Sequence, residues 1–294
     1  MTPARTRLPT PRGYWRDVPT WECRDVTVCI AATCRDEEKI KIVLCTDTKL
    51  SSALGSAETG TKDLYIAHRW RLLTSGDEPD IIALHRLYKL QFKDIKNLTP
   101  DKLDESMKSP LRRRKKDLAD EYTFSRYNMS YADFIATGKD KFPDEEFRNS
   151  IRNVAAIRLR ANLIIAGFVD ESPEVYLTDE DGVARATNDF AVIGEGQYLA
   201  QSVLLRRGQH SHLSLHETLY NVYEAKRYSE SVGSVGKYTS LAIISPGEKR
   251  ELTSFGVDKQ LKQCYVDYGP KSLPNEFKLD GPIFFSEEKK TKKT

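Results

Sequence analysis

Short apolar runs, rich in β-branched residues, alternate with polar turns in the first part of the chain. The runs over 26–32 and 40–46 are joined by a polar segment that ends in RDEEK. Apolar runs of this length, bounded by turn residues, are typical of buried strands. The pattern predicts a hairpin of two buried strands. The letters DLYIAH (63–68) and RLLTSG (71–76) predict two further strands.

The spacing of apolar residues becomes helical after this point. From Ile81 to Phe92 they recur at intervals of three and four, and Glu78 and Asp80 stand near the start. Apolar residues at this spacing form one face of a helix, and its positive end favours nearby acidic side chains. A helix is predicted over 78–95.

The second half of the chain returns to strands and then to helices. Strands are predicted over 161–169, 174–182, 188–196 and 238–245, helices around 148–160, 197–206 and 214–229, and a further strand over 251–257. Ser214 precedes Glu217 by three positions, which indicates a capping box. Strands, helices, strands, helices and strands in this order favour two face-to-face sheets with helices outside, and disfavour repeated β-α-β crossovers.

Composition and charge narrow the class of protein. Of the 294 residues, 39% are hydrophobic, and the formal net charge is only +3. Such a balance gives no strong attraction to nucleic acid or membrane surfaces, and no apolar run approaches the roughly 18 residues of a membrane span. The basic letters RRRKK (112–116) are followed by acidic residues without interleaved aromatics, so nucleic-acid binding is not expected.

Cysteine and histidine spacing gives no reason to expect a metal or another cofactor. Five cysteines lack the spacing of zinc ligands, and Cys29 and Cys45 stand in apolar runs, where cysteine acts as a small hydrophobe. His210, His212 and His216 are interpreted as a solvated helix start. The proline-rich segment 1–22 lacks the apolar core of a secretory signal, so a cytoplasmic protein is expected.

Seven strings, read in order, resemble the proteasome-type branch of the N-terminal-nucleophile (Ntn) hydrolases. They are TVCIAA, IVLCTDTKLSS, TKDLYIA, LLTSGDEPDIIAL, LIIAGFVDESPEVYLTDEDG, FAVIGEGQYLAQSVL and YTSLAIIS. The resemblance covers about residues 26–245 and implies an α+β fold, a four-layer αββα sandwich. It also implies assembly into a homo-oligomeric ring that acts on peptide or protein substrates.

In active members of that family, cleavage makes a threonine the first residue. Its hydroxyl attacks the amide bond, and its own α-amino group serves as the general base. A lysine lowers the pKa of that amine, and an aspartate positions the lysine. The chain has to supply these three side chains if it shares the activity.

The resemblance places Thr27 as nucleophile, Asp47 as the aspartate and Lys62 as the lysine. Alternatives remain for two of the roles. Asp63 aligns with the lysine position in a neighbouring register, and Lys49 is a third candidate for that role. Thr27 follows Val26 rather than the usual glycine, and a register shift would put Val26 or Asp25 in its place.

Two further loops carry candidate supporting residues, and Cys29 is an alternative nucleophile after deeper cleavage. Where the family favours a serine, this chain has Glu195 between two glycines. The loop before the last core strand offers Ser231 and Ser234, while its nearest carboxylate is Glu230. These departures from the family pattern keep lost or altered catalysis open.

Two functions follow from the resemblance. One is a threonine-type peptidase or amidohydrolase activated by removal of roughly the first 26 residues. The other is a catalytically inactive ring or scaffold subunit with the same fold. The expected domains are an extended leader over 1–22, an Ntn-hydrolase-like domain over 23–255 with a charged helical insertion at 98–150, and a C-terminal extension over 256–294 with a charged tail.

Overall fold

The structure is a computed structural model that describes residues 27–52, 55–57, 62–93, 99–246, 249–251 and 255–270. The predicted leader and the charged tail lie outside these ranges. The strands are β1 (Cys29–Asp36), β2 (Lys39–Asp47), β3 (Leu50–Ser52), β4 (Gly55–Ala57), β5 (Asp63–Ala67), β6 (Trp70–Gly76), β7 (Ala161–Val169), β8 (Ser172–Thr178), β9 (Ala184–Thr187), β10 (Phe190–Ile193), β11 (Thr239–Ile244) and β12 (Lys249–Glu251). The α-helices are α1 (Glu78–Gln91), α2 (Pro100–Ala119), α3 (Tyr131–Lys141), α4 (Asp144–Ala155), α5 (Gln197–Arg206), α6 (Leu215–Ser229) and α7 (Phe255–Tyr268).

The strands form two five-stranded antiparallel sheets and one small pair. The first sheet has the order β10-β1-β2-β11-β12, the second has the order β5-β6-β7-β8-β9, and β3 pairs with β4. The hairpin of β1 and β2 is confirmed, with Ala32 opposite Val43. Every strand pair in the described ranges is antiparallel, which agrees with the predicted α+β class.

The main apolar core consists of three clusters of buried side chains. One draws on both sheets and includes Cys29, Leu44, Leu73 and Ile164. A second joins the first sheet to α5 and α6 and includes Ile30, Val43, Val203 and Val222. A third joins the second sheet to α1 and α2 and includes Leu72, Ile165, Leu84 and Leu111. Burial of these alternating strand faces supplies the main driving force for the fold.

The helices begin close to where the pattern predicts them, but two end earlier. The capping box of α6 is present, with the Ser214 hydroxyl accepting a hydrogen bond from the backbone N–H of Glu217. Helix α1 ends at Gln91, and Phe92 packs on Trp70 with ring centroids 5.0 Å apart. Helix α4 ends at Ala155 because the backbone beyond it bonds elsewhere: Leu159 N–H donates to Glu180 O.

The strand predicted over 251–257 is wrong at its C-terminal end. Glu251 closes β12, and α7 begins at Phe255. Leu261 and Tyr265 of α7 join the cluster between the first sheet and α6. Arg207 also donates to the backbone oxygen of Tyr268 at 2.9 Å. Tertiary packing of α7 therefore outweighs the strand-like sequence at 255–257, where the helix begins.

Residues 100–155, which include most of the charged insertion, are largely helical. After α2, the chain continues through a π-helical turn at Asp120–Phe124 and a 3-10 turn at Ser125–Tyr127. Aromatic side chains of these turns and of α3 and α4 form a separate small cluster around Phe124 and Phe134, whose ring centroids lie 4.6 Å apart. The insertion thus has an apolar centre of its own.

Candidate active site

The register of the first sheet brings Thr27 and Asp47 to the same sheet edge. Cys29 lies opposite Thr46, so the start of β1 lies beside the end of β2. The backbone N–H of Asp47 donates to Val28 O at 3.2 Å. Lys62 comes from the second sheet, immediately before β5, and its carbonyl accepts a hydrogen bond from Thr74 N–H at 3.0 Å. The two sheets therefore contribute different members of the site.

The three side chains form one hydrogen-bonded cluster. Thr27 Oγ1 donates to Asp47 Oδ1 at 2.5 Å, and Lys62 Nζ donates to the same oxygen at 2.8 Å. Lys62 Nζ also donates to Thr27 Oγ1. The exposed fractions are 2% for Thr27, 0% for Asp47 and 5% for Lys62. The hydroxyl oxygen thus accepts from a cation while its proton points to a carboxylate, in surroundings shielded from water.

Backbone groups hold the Asp47 carboxylate from both sides. Oδ1 also accepts from Val28 N–H at 3.0 Å, while Oδ2 accepts from Gly236 N–H at 2.8 Å and from Lys49 N–H at 3.4 Å. A buried carboxylate is costly unless such donors surround it. These contacts also fix the orientation of the oxygen that faces Thr27 and Lys62.

The turn between β10 and α5 holds the backbone of Thr27. Gly196 N–H donates to Thr27 O at 3.3 Å. Gly194 has a φ of +97°, and a Cβ at that position would lie 2.3 Å from Thr27 O. Only glycine combines this conformation with such a close approach. Glu195 lies between the two glycines and is half-buried.

Cys29 lies next to the cluster, but its thiol is held in the neutral form. Its Sγ is 3.9 Å from Thr27 Oγ1 and donates to Thr74 O at 3.4 Å. Burial raises the pKa of Cys29 to about 12, and the nearby charge of Lys62 only partly opposes that rise. A nucleophilic cysteine needs the thiolate. These surroundings therefore favour Thr27 over Cys29 as the nucleophilic group.

Of the alternatives for the lysine position, Lys49 directs its ammonium to another loop. Lys49 Nζ donates to the carbonyl oxygen of Gly233 at 3.2 Å. Asp63 is the first residue of β5 and pairs with Leu73. The register in which Asp25 or Val26 replaces Thr27 falls on residues outside the described ranges.

The two candidate serines occupy different surroundings. The exposed Ser231 donates from Oγ to Tyr228 O at 2.8 Å, at the C-terminal end of α6. Ser234 Oγ is buried and lacks a hydrogen-bond partner within the described part of the chain. Ser234 stands two positions before Gly236, whose N–H binds Asp47, so it belongs to the loop that contacts the site.

Sequence reasoning missed one residue near the site, Lys226 of α6. Its side chain is fully buried, and its Nζ donates to Glu230 Oε1 at 2.6 Å and to Lys237 O at 2.9 Å. The available signal is its position in the apolar face of the predicted helix, four residues after Val222. A lysine in the core-facing stripe of a helix needs specific polar partners.

The structure contains neither a metal-binding cluster nor a membrane-crossing helix in the ranges it describes. No three His, Cys, Asp or Glu side chains there are grouped so that they could hold a metal ion. None of the described helices is long and apolar enough to span a bilayer.

Comparison with known proteins adds no family assignment. No protein-family model matches the chain, and a search of curated proteins finds no match either. The geometry of the site is therefore the basis for a functional proposal.

Proposed function

We propose that the protein is a threonine-type amide hydrolase of the Ntn kind, in which Thr27 becomes the nucleophile after cleavage of the Val26–Thr27 bond. The observation that carries the proposal is the contact of Lys62 Nζ with both Thr27 Oγ1 and Asp47 Oδ1. Residues 20 and 35 positions after Thr27 supply, respectively, the carboxylate and the cation that this chemistry requires.

The proposed reaction uses the two functional groups that a terminal threonine carries. Cleavage frees the α-amino group of Thr27, which then accepts the hydroxyl proton as Oγ1 attacks the substrate carbonyl. The amine of the substrate leaves with a proton, and water hydrolyses the remaining ester. Lys62 contributes a positive charge that lowers the pKa of the new amine, so that more of it is free to act as a base at neutral pH.

The surroundings of the cluster support a preorganised site. Asp47 is held by three backbone N–H groups, and Gly194 and Gly196 hold the Thr27 backbone. Fixed donors in a site shielded from water need little rearrangement during reaction, which favours the transition state.

The architecture that best accommodates this site is the four-layer αββα sandwich. The cluster shared by the two sheets and the helix-facing clusters beyond each sheet support that arrangement. From the resemblance to the proteasome-type Ntn hydrolases we infer a homo-oligomeric ring that cuts peptide or protein substrates, and a cytoplasmic location stays the prediction made from the sequence. Light scattering of the purified protein tests the assembly separately from the chemistry.

The decisive experiment measures intact mass and peptide turnover for the wild-type chain and two variants. We expect wild-type protein that begins at Thr27, whereas Thr27→Ala should keep the whole chain and lose turnover. Thr33→Ala is the matched control, because Thr33 is a buried threonine of β1, the strand that follows Thr27, and its hydroxyl donates to Asn188 O at 2.6 Å. The control should be cleaved like the wild type.

Two results would count against the proposal. A wild-type chain that keeps residues 1–26 and does not turn over peptides would favour the inactive scaffold function. Cleavage at Val26–Thr27 in the Thr27→Ala variant would mean that another protease makes the cut, and turnover by that variant would exclude Thr27 as nucleophile.

A further inference from the structure

Lys226 of α6 carries its charge into largely apolar surroundings. It is completely buried, and its helix neighbours Val222, Tyr223 and Ala225 belong to the apolar cluster that packs on the first sheet. An ammonium group in such surroundings is strongly destabilising unless hydrogen bonds and an opposite charge compensate it. The groups that compensate the charge of Lys226 therefore indicate what this side chain does in the fold.

Both partners of Lys226 belong to one segment, residues 230–237, which we call the site loop. Nζ donates to Glu230 Oε1 at 2.6 Å and to Lys237 O at 2.9 Å. Glu230 follows the end of α6, and Lys237 stands shortly before β11. A single buried ammonium thus ties the first residue of the site loop to its last.

The site loop in turn contacts the candidate active site. Gly236 N–H donates to Asp47 Oδ2 at 2.8 Å. A Cβ on Gly236 would lie 2.6 Å from Lys49 Cβ and 2.9 Å from Asp47 Oδ2. Lys49 Nζ also reaches the loop, at Gly233 O. With so little space around Gly236, the position of the loop and the orientation of Asp47 depend on each other.

We propose that Lys226 is a positioning residue of the candidate active site, whose ammonium holds the site loop where Gly236 N–H orients Asp47. This inference rests on the proposed function of Thr27 and Asp47. Lys226 acts through Gly236 and Asp47 on the atoms that react. Loss of the ammonium would leave Asp47 less well oriented toward Lys62 and Thr27.

The test compares Lys226→Met with Glu224→Gln. Glu224 is a matched control because it is also completely buried on α6 and ion-paired, but its partners are Arg206 and Arg207. We expect Lys226→Met to lower kcat for peptide turnover by about 10- to 100-fold, since small displacements of catalytic groups have effects of this size. KM should change by less than about threefold, and Glu224→Gln should stay within about twofold of the wild type.

A double variant separates positioning from general loss of stability. If Lys226 acts through Gly236, then Lys226→Met combined with Gly236→Ala should be no slower than the slower single variant. Effects that multiply would overturn the inference, because they would mean that Lys226 influences the reaction by another route. Rates are expressed per folded molecule, with the folded fraction measured by circular dichroism.

Hydrogen exchange of the Gly236 amide provides a readout that does not depend on activity. Exchange should be faster in Lys226→Met than in the wild type or in Glu224→Gln, because the loop loses its anchor. Glu230→Gln, which keeps the lysine but removes its ionic partner, should show the same direction if Lys226→Met fails to fold. An unchanged Gly236 exchange rate in the variants that fold would overturn the inference.

The outcomes distinguish this inference from the proposed function. If the wild type is neither cleaved nor able to react with a peptide β-lactone, which acylates an activated threonine hydroxyl, the proposed function is wrong and Lys226 has no catalytic group to position. If the wild type reacts and Lys226→Met reacts equally fast, only the role of Lys226 is wrong.

Discussion

Two clusters of this protein each contain a buried carboxylate, a cation and a hydroxyl group. At the candidate active site they are Asp47, Lys62 and Thr27. Between α5 and α6, Glu224 accepts from Arg207 Nε at 2.9 Å, and the Tyr220 hydroxyl lies 3.5 Å from the same guanidinium. Both carboxylates are completely buried.

The clusters differ in how the hydroxyl is held. Burial, together with the hydrogen bond and charge of Glu224, raises the pKa of Tyr220 to about 12, so the phenol keeps its proton. Arg207, with 32% of its side chain exposed, also remains in contact with water. The Thr27 hydroxyl, two positions before β1, instead accepts a hydrogen bond directly from Lys62, whose side chain is only 6% exposed. The same set of groups therefore has a partly exposed cation in one place and a buried one in the other, and the buried arrangement is the one on which the proposal for Thr27 rests.

The largest expected difference between the clusters concerns their carboxylates. Asp47→Asn should lower the rate of turnover by about 10³- to 10⁴-fold, as is found when the aspartate of a nucleophile–base–acid set is replaced by its amide. Glu224→Gln should leave turnover within about twofold. Steady-state kinetics on the folded fraction measure both, and equal losses would mean that Asp47 is only structural.

Replacing the cations of the two clusters should produce a smaller difference in turnover than replacing their carboxylates. Lys62→Met should lower turnover by about 10²- to 10³-fold, because the hydroxyl and the terminal amine lose the adjacent positive charge. Arg207→Met removes a cation of the second cluster and should affect stability but not the rate per folded molecule. Lys62→Arg should not restore activity, since a planar guanidinium cannot replace a compact ammonium in a closed site. Full activity of Lys62→Met would exclude the assigned role.

Alanine substitutions at two glycines of the site loop should have different effects, because Gly236 is closely packed and Gly233 has open space around it. Gly236→Ala places a methyl group against Lys49 and Asp47 and should destabilise the fold by about 1–3 kcal/mol while lowering turnover. Gly233→Ala has nothing within 4 Å of the new Cβ and should change neither property. Urea unfolding and turnover assays measure the two effects. A similar response of both variants would contradict the close approach at Gly236.

The smallest expected effect on turnover is that of alkylating the cysteines. Burial raises the pKa of Cys29 to about 12, so at pH 8 the thiolate that reacts with iodoacetamide is scarce. Among the cysteines that the structure describes, Cys264, which is partly exposed, should be labelled first, with no loss of turnover. Peptide mapping after timed labelling identifies the modified residue. Rapid labelling of Cys29 that abolishes activity would instead favour the thiol as nucleophile.

The elements of the core sheets could be read from the sequence because their signals are local. The apolar runs of β1 and β2, the letters of β7 and the capping box of Ser214 and Glu217 each report a backbone state through neighbouring residues. The early end of α4 and the start of α7 at Phe255 could not be read in this way. They depend on hydrogen bonds and packing with distant parts of the chain.

The sequence by itself determined the core strands and the candidate nucleophile Thr27. The resemblance to a known family suggested Asp47 and Lys62 as its partners. Tertiary structure brings the Lys62 ammonium to the Thr27 hydroxyl and the Lys49 ammonium to Gly233 O, because the packing of the two sheets sets which side chain reaches which group. It also decided the partners of Lys226, because the helical spacing indicates a core-facing position but not which groups compensate its charge. Periodicity specifies the face of a helix or strand, but contacts between residues 20 or more positions apart depend on how those faces pack.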